Sequence, residues 1–259
     1  MVALEVAGLR KSYNRAGVLT TALENVSFNI PDRQFISIVG PSGCGKSTLL
    51  RCIAGLAEPS GGDIRVGGQA MHGVPDDMVY VFQEYNRSLF PWRRLLGNVA
   101  YPIESRLPRS VSSDRARAYI KLVGLEGFEN YYPWELSGGM QQRAAIARAL
   151  VTEPKFLLMD EPFGALDAQT RVSLEETILD LWSRSPRTVI FVTHDIDEAI
   201  FLSDRVLVMA SRPGRIVEDI MIDLPRPRHQ IETKEDRAFS DYRRLLFGLI
   251  APPSASTLS

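Results

Sequence analysis

Gly40-Pro41-Ser42-Gly43-Cys44-Gly45-Lys46-Ser47-Thr48 has the composition and spacing of a phosphate-binding loop. Glycines at those intervals let the backbone curl around an anion with its N–H groups turned inward, which side chains there would hinder. Gly40, Ser42, Gly43, Cys44, Gly45 and Thr48 would form the cradle. Lys46 would neutralise the β- and γ-phosphates of a nucleoside triphosphate, and the Ser47 hydroxyl would ligate Mg²⁺. Four other positions suit the same chemistry. Asp160 and Glu161 follow an apolar run, where Asp160 suits Mg²⁺ and Glu161 a general base for water. Gln83 ends another apolar run and could reach Mg²⁺ or the attacking water through its amide oxygen. His194 stands after Thr188-Val-Ile-Phe-Val-Thr193 and could hydrogen-bond a γ-phosphate.

These residues need particular elements to position them. Phe35-Ile-Ser-Ile-Val39 reads as a buried strand feeding the loop, and Leu49, Leu50, Ile53 and Leu56 recur at helical spacing after it. Such a helix aims its positive end at the bound anion. Ahead of the loop, the alternation in residues 4–13 and 25–30 suggests an antiparallel β portion. Tyr13 there either stacks on a base or covers the sheet. Residues 61–66 and 78–82 read as further strands. From about residue 84 to 153 helical patterns replace strands, with candidates at 95–103 and 113–123. In a Pro-containing loop, Tyr85, Phe90 and Trp92 stand beside Arg87, Arg93 and Arg94, a combination that marks either a partner surface or the cap of a helical core.

Ser137-Gly138-Gly139 opens another helix with Ser137 as N-cap, a second anion-binding terminus far along the chain from the first. No Glu or Gln sits three residues on to complete a capping box. Phe156-Leu-Leu-Met159 reads as a central parallel strand that delivers the acidic pair at its C-terminal end, where open α/β sheets bind ligands. A helix carrying Leu174, Ile178, Leu181 and Trp182 follows Asp167. Strands at 205–209 and 215–222, hinged at Arg212-Pro-Gly-Arg215, complete the sheet. Beyond residue 224 comes a Pro/Arg linker, then an amphipathic helix with Phe239, Tyr242, Leu246 and Leu249 on one face. The last residues read as frayed.

The 259 residues carry a net charge of −1, with 45% hydrophobic and 24% charged positions. No basic footprint for nucleic acid is present. No apolar run approaches the roughly 18 residues of a membrane span, and no secretory signal is expected at the start. The two cysteines, Cys44 and Cys52, offer neither a disulfide framework nor metal-ligand spacing. Cys44, near a helix N-terminus, either carries a depressed thiol pKa or is a small residue that merely fits the loop. His72 and His229 have no setting that suggests a role.

The order phosphate loop, Gln83, Leu136-Ser-Gly-Gly, strand-Asp160-Glu161-Pro162, Leu166-Asp167, strand-His194 resembles the ATP-binding cassette (ABC) ATPases over nearly the whole chain. Leu-Ser-Gly-Gly is the specific part, since other P-loop families lack it. The resemblance implies an α/β fold: a P-loop NTPase core with a mostly parallel sheet, an N-terminal antiparallel β portion and an inserted α-helical subdomain. The ATPase domain would span 1–224, with the insert at about 84–153, and 225–259 would form the linker and C-terminal helix. It also implies site roles. Tyr13 would stack on adenine, Gln83 would sense Mg²⁺ and water, Asp160 would hold Mg²⁺, Glu161 would be the base and His194 the γ-phosphate switch. Ser137, Gly138, Gly139 and Asp167 would act across a head-to-tail dimer, closing on ATP held by the other copy.

Within the family, Phe90-Pro-Trp-Arg93, Asn98-Val99 and Arg212-Pro-Gly-Arg-Ile216 look like importers of the nitrate, sulfonate and taurine type. Met140 replaces the more usual Gln, and Arg94-Leu95 stand where Thr-Val is common. Expected partners are therefore a second copy, membrane permease subunits docking near residues 83–94, and indirectly a periplasmic or extracellular solute-binding protein. The place would be the cytoplasmic face of the membrane. Two rival readings exist. A non-transport ABC ATPase of DNA repair or translation should show a coiled-coil insert, a second cassette or a basic surface. A P-loop kinase or GTPase should lack Leu-Ser-Gly-Gly.

Overall fold

The structure, a computed structural model, describes residues 2–15, 17–84, 88–211 and 213–250. In chain order it begins with β1 (Val2–Arg15), β2 (Val18–Pro31), β3 (Phe35–Val39), α1 (Lys46–Ile53), β4 (Gly61–Val66), β5 (Gln69–Ala70) and β6 (Met78–Val81). Helices follow: α2 (Leu95–Glu104), α3 (Arg109–Leu122), a 3₁₀ turn at Pro133–Glu135 and α4 (Gly138–Leu150). Next come β7 (Phe156–Asp160), α5 (Ala168–Arg184), β8 (Thr188–Val192) and α6 (Ile196–Leu202). The chain closes with β9 (Arg205–Ala210), β10 (Arg215–Met221), α7 (Glu232–Glu235) and α8 (Arg237–Ile250). It divides into two compact units, Met1–Asp76 with Thr188–Ser259, and Asp77–Arg187.

The first unit holds an antiparallel sheet in the order β2-β1-β4-β5 and four further strands in the order β10-β9-β3-β8. In the long β1–β2 hairpin, Leu4 faces Ile30, Val6 faces Phe28 and Leu9 faces Val26. All six side chains are buried, so the period-two pattern seen in the sequence is the inner face of this sheet. The second strand starts at Val18, seven residues before the 25–30 alternation. Val18 and Leu19 are largely exposed, so no alternating burial marks its first turn of chain.

β3 runs parallel to both β8 and β9, and β10 pairs antiparallel with β9. Every residue of β3 and β8 is buried, the pattern of strands covered on both faces. Helix α6 packs on β3, and α8 packs on α6 and β9. Of the apolar face expected for α8, Phe239 and Leu246 are fully buried, and the Tyr242 hydroxyl accepts from the Asp223 N–H at 3.0 Å.

The second unit pairs β6 with β7 in parallel, Tyr80 opposite Leu158. Its helices α2, α3 and α4 pack on one another, burying Val99, Ile103, Ala116, Ile120, Ile146 and Leu150. Helix α3 starts at Arg109, four residues earlier than its apolar spacing indicates. Pro108 sits at the N-cap position and pre-sets the entry geometry, while the first turn is mostly polar and its one apolar residue, Val111, faces solvent and so adds nothing to the buried stripe.

Candidate active site

The phosphate loop lies in the first unit, at the end of β3. Gly40, Gly43 and Gly45 all have positive φ, 154°, 75° and 102°. At Gly40 the constraint is steric as well, because a Cβ there would stand 2.4 Å from the Met209 carbonyl oxygen. Behind the loop, a Cβ on Gly45 would meet Leu23 at 2.9 Å, and one on Gly214 would meet the Cys44 carbonyl oxygen at 2.2 Å. The β2 strand and the Pro213-Gly214 turn therefore back the loop directly. They are joined to each other by Gly214 N–H to Ala22 O and Glu24 N–H to Gly214 O, both 3.0 Å. Gly214 is a functional-site residue that sequence reading missed; its Pro-Gly setting signals a turn, and only the fold shows what the turn touches.

Lys46 is buried, and its ammonium donates to the carbonyl oxygens of Gly40 at 2.8 Å and Pro41 at 3.3 Å. The cation is thus held at the loop itself. The depressed-thiol reading of Cys44 is overturned: burial pushes its thiol pKa up, outweighing the Lys46 charge and the backbone donors that pull it down. Tyr13, on β1, keeps 43% of its surface exposed, with the Lys11 ammonium 5.0 Å from its ring centroid. A ring so placed is available for stacking rather than consumed as sheet cover.

His194 is also in this unit, exposed just past β8. The turn around it is tightly organised. The Thr193 hydroxyl accepts from the Asp195 N–H at 3.0 Å and donates to the Glu198 carboxylate at 2.6 Å. Asp195 caps α6, accepting from the N–H groups of Asp197 and Glu198.

The second unit brings Gln83, Asp160 and Glu161 together. Asp160 is buried at the end of β7 and accepts from the Tyr80 hydroxyl at 2.9 Å. The Gln83 amide donates to the Glu161 carboxylate at 3.0 Å. Glu161 has φ 45°, in the left-handed region that a non-glycine residue enters only at a cost. Tyr80 is a second missed residue: on β6 it is one aromatic of an apolar run, and only the β6–β7 register places it against an acid 80 positions away.

Ser137 caps α4, accepting from the Met140 N–H at 3.3 Å, as its residue type indicates. Gly139 faces the 165–166 turn, where a Cβ would stand 3.4 Å from Leu166 and 3.5 Å from Ala165 O. Buried Gln142 accepts from the Ala165 N–H at 3.1 Å, fastening the same turn to α4. Asp167 caps α5 through the Thr170 N–H, a bond that holds its carboxyl below the usual range. Gly139 and Gln142 therefore tie the start of α4 to the turn that leads into Asp167, Gln142 being a connector that a helix otherwise rich in Ala did not announce.

The loop after Gln83 divides between the two roles left open for it. Tyr85 and Arg87 lie outside the described residues. Leu89 is buried, and the Phe90 ring stands edge-on to Tyr101 at 4.7 Å, which is core capping. Trp92 is 71% exposed. Asn98 on α2, fully buried, holds the loop: it accepts from Phe90 N–H at 2.7 Å and donates to the carbonyls of Phe90, Arg93 and Arg94 at 3.1, 2.9 and 3.4 Å.

The family profile described as ABC transporter matches residues 23–164, more than half of the chain. The chain belongs to the ABC transporter family. An uncharacterised ABC transporter ATP-binding protein of Methanocaldococcus jannaschii is 46% identical over 96% of this chain and 91% of its own length. The aliphatic sulfonates import ATP-binding protein SsuB of Bacillus cereus is 42% identical over 93% of both chains. A bacterial ABC transporter cassette solved as a dimer is similar to it with a TM-score of 0.78 at 33% identity, covering 85% of this chain and 98% of that one. A post-hydrolysis dimer of the same cassette, bound to ADP and phosphate, gives 0.77. This ABC protein is an ATP-binding ATPase with the expected α/β fold. Among the described residues no helix is long and apolar enough to cross a membrane.

Proposed function

We propose that this ATPase powers uptake of a small solute of the nitrate, sulfonate or taurine type through separate permease subunits, at the cytoplasmic face of the membrane. The observation that carries the reading is the Gln83–Glu161 hydrogen bond beside buried Asp160. Gln83 opens the segment that ends in exposed Trp92 and Asn98-held Arg93 and Arg94, so a partner seated on residues 83–94 acts on the group that holds Glu161. Full-length similarity to a sulfonate import ATP-binding protein supports the solute class. The solute-binding protein would act indirectly, through the permease. We take the cassette as residues 1–224, with its helical insert at about 84–153, and 225–259 as the C-terminal extension.

In this reading Gly40, Ser42, Gly43, Cys44, Gly45, Lys46, Ser47 and Thr48 hold the triphosphate, and Tyr13 stacks on adenine. Glu161 takes the proton of the attacking water, and His194 hydrogen-bonds the γ-phosphate. Ser47, Gln83 and Asp160 offer hydroxyl, amide and carboxylate oxygens, a hard donor set that fits Mg²⁺. When bound, Mg²⁺ neutralises the charge that develops on the transferring phosphoryl group. Ser137-Gly138-Gly139 and Asp167 of a second, head-to-tail copy complete the site, so binding of ATP joins two cassettes and hydrolysis parts them. The α4 terminus with its Ser137 cap then supplies the stabilisation that an arginine finger gives elsewhere.

Mixed dimers test this. One Lys46→Ala chain paired with one Ser137→Ala chain retains one intact composite site and about half of the wild-type turnover, whereas each homodimer is inactive. Turnover that follows only the number of unmutated chains would show that the sites are not shared. For the solute, the complex with its permease in vesicles should couple ATP use to uptake of an aliphatic sulfonate or nitrate; a futile ATPase with no uptake of either removes that solute class.

A further inference from the structure

Helix α6 begins two residues after His194 and is gripped at both ends by the chain's C-terminal segment. At its C-terminal end, where the last carbonyls lack helical partners, Arg228 is buried and donates to the carbonyl oxygens of Ile200 and Phe201 at 3.0 Å and Ser203 at 2.8 Å. Arg226 adds a bond to Leu202 O at 2.9 Å and pairs with Asp204. At the first turn, Arg243 of α8 makes a two-pronged pair with Asp197, Nε to Oδ1 and Nη2 to Oδ2, both 2.6 Å. The Arg243 guanidinium also lies 5.1 Å from the Phe239 ring centroid, and Phe239 is fully buried. The fork is therefore pinned from behind as well as in front, which is the arrangement that makes an Arg–carboxylate pair directional.

Asp197 is one of the two residues whose N–H groups Asp195 caps, and Asp195 is bonded in turn to the Thr193 hydroxyl. The line of contacts runs Arg243, Asp197, Asp195, Thr193, with His194 between the last two. Seven residues of helix cannot hold that turn by themselves, because short helices depend on tertiary contacts.

We propose that Arg243, and through it α8, is a positioning element for His194: the C-terminal helix sets where the γ-phosphate-sensing imidazole stands during ATP hydrolysis. Among the described residues this line of contacts includes none from the phosphate loop, so nucleotide binding does not depend on it and turnover does. The inference rests on the γ-phosphate role given to His194 above.

The experiment is steady-state ATP hydrolysis by the full chain, with ATP affinity measured in parallel by equilibrium binding. Arg243→Ala should lower kcat about tenfold, the scale of a sub-ångström displacement of a reacting group, and leave the ATP KM and dissociation constant within about twofold. Arg243→Lys, which keeps the charge and loses the fork, should fall between. Asp197→Asn should match it, and combining Asp197→Asn with Arg243→Ala should cost no more than Arg243→Ala alone. In a His194→Ala background, Arg243→Ala should lower the residual rate no further. An undiminished kcat in folded Arg243→Ala overturns the proposal, as does a loss that multiplies undiminished with His194→Ala, since it would then act by another route. Should Arg243→Ala fail to fold, Arg243→Lys and Asp197→Asn carry the same two outcomes. If His194→Ala itself hydrolyses ATP at the wild-type rate, the role of His194 falls and this inference with it.

Discussion

Asn98 offers the sharpest test of how the loop before α2 is held. Its side chain accepts from the Phe90 N–H and donates to the carbonyls of Phe90, Arg93 and Arg94. Three of these bonds, at 2.7, 2.9 and 3.1 Å, have full-strength geometry. Asn98→Ala removes them, each worth about 0.5–1.5 kcal/mol net. Partial rehydration of the loop backbone recovers a share, leaving a loss of about 2–3 kcal/mol. For a chain of this size that is a fall in unfolding temperature of roughly 5 °C or more. Asn98→Asp keeps the acceptor for Phe90 N–H but turns the donating arm into an anionic oxygen facing three carbonyls. At neutral pH it should therefore be less stable than the Ala variant, and acidification should narrow the gap as the carboxyl is protonated. The buried carboxyl has its pKa raised in the folded state, so the penalty is absent at low pH and grows as pH rises through the unfolded value. Thermal unfolding of the three proteins at pH 5 and pH 7.5 reads both effects. ATP affinity should be unchanged throughout. An Ala variant within a degree of wild type, or an Asp variant at least as stable as Ala at pH 7.5, would refute the reasoning.

Glu161→Gln should bind ATP and dimerise but turn over less than about a hundredth as fast, consistent with loss of a general base; single-turnover phosphate release checks it, and near-normal turnover removes Glu161 from that role. Gly40→Ala meets the Met209 carbonyl oxygen at 2.4 Å, whereas a Cβ on Gly43 meets nothing within 4 Å. Urea unfolding should therefore show Gly40→Ala as the worse of the two by more than about 1 kcal/mol, and equal losses would contradict that packing. Burial raises the thiol pKa values of Cys44 and Cys52 above 9.0. The folded chain then keeps protons that the unfolded chain releases, so their contribution is intact below pH 9 and declines above it. The stability difference between wild type and the Cys44→Ala, Cys52→Ala variant should accordingly shift against wild type between pH 8 and pH 10, and a constant difference would sink this account.

The elements that carry phosphate chemistry were readable because their rules are local. The loop from Gly40 to Lys46 needs its glycines for backbone reasons, and β3, β7 and β8 announce themselves as apolar runs because both faces are covered. Ser137 was recognisable as a cap from residue type, whereas the capping by Asp167 emerged only with the structure. Other features depend on partners distant in the chain. Tyr80 meets Asp160 only through the β6–β7 register, Gly214 meets Cys44 O only once β10 has returned to the sheet, and Gln142 meets Ala165 only when α4 packs on that turn. The depressed-thiol reading of Cys44 failed for the same reason, since proximity to a helix terminus is local and burial is not. The early start of β2 escaped because Val18 and Leu19 point to solvent. Arg243 and Asp197 stand 46 positions apart, with nothing in either neighbourhood to suggest the other.

The left-handed backbone at Glu161 has a consequence for engineering this protein. Gly and Asn tolerate such a conformation, while Glu holds it against a preference of roughly 1 kcal/mol. A campaign that selects only for thermal robustness would thus be drawn to replace the very side chain assigned to deprotonate water. Sturdier descendants recovered that way should be slower ones, and the position should be frozen before any such screen begins.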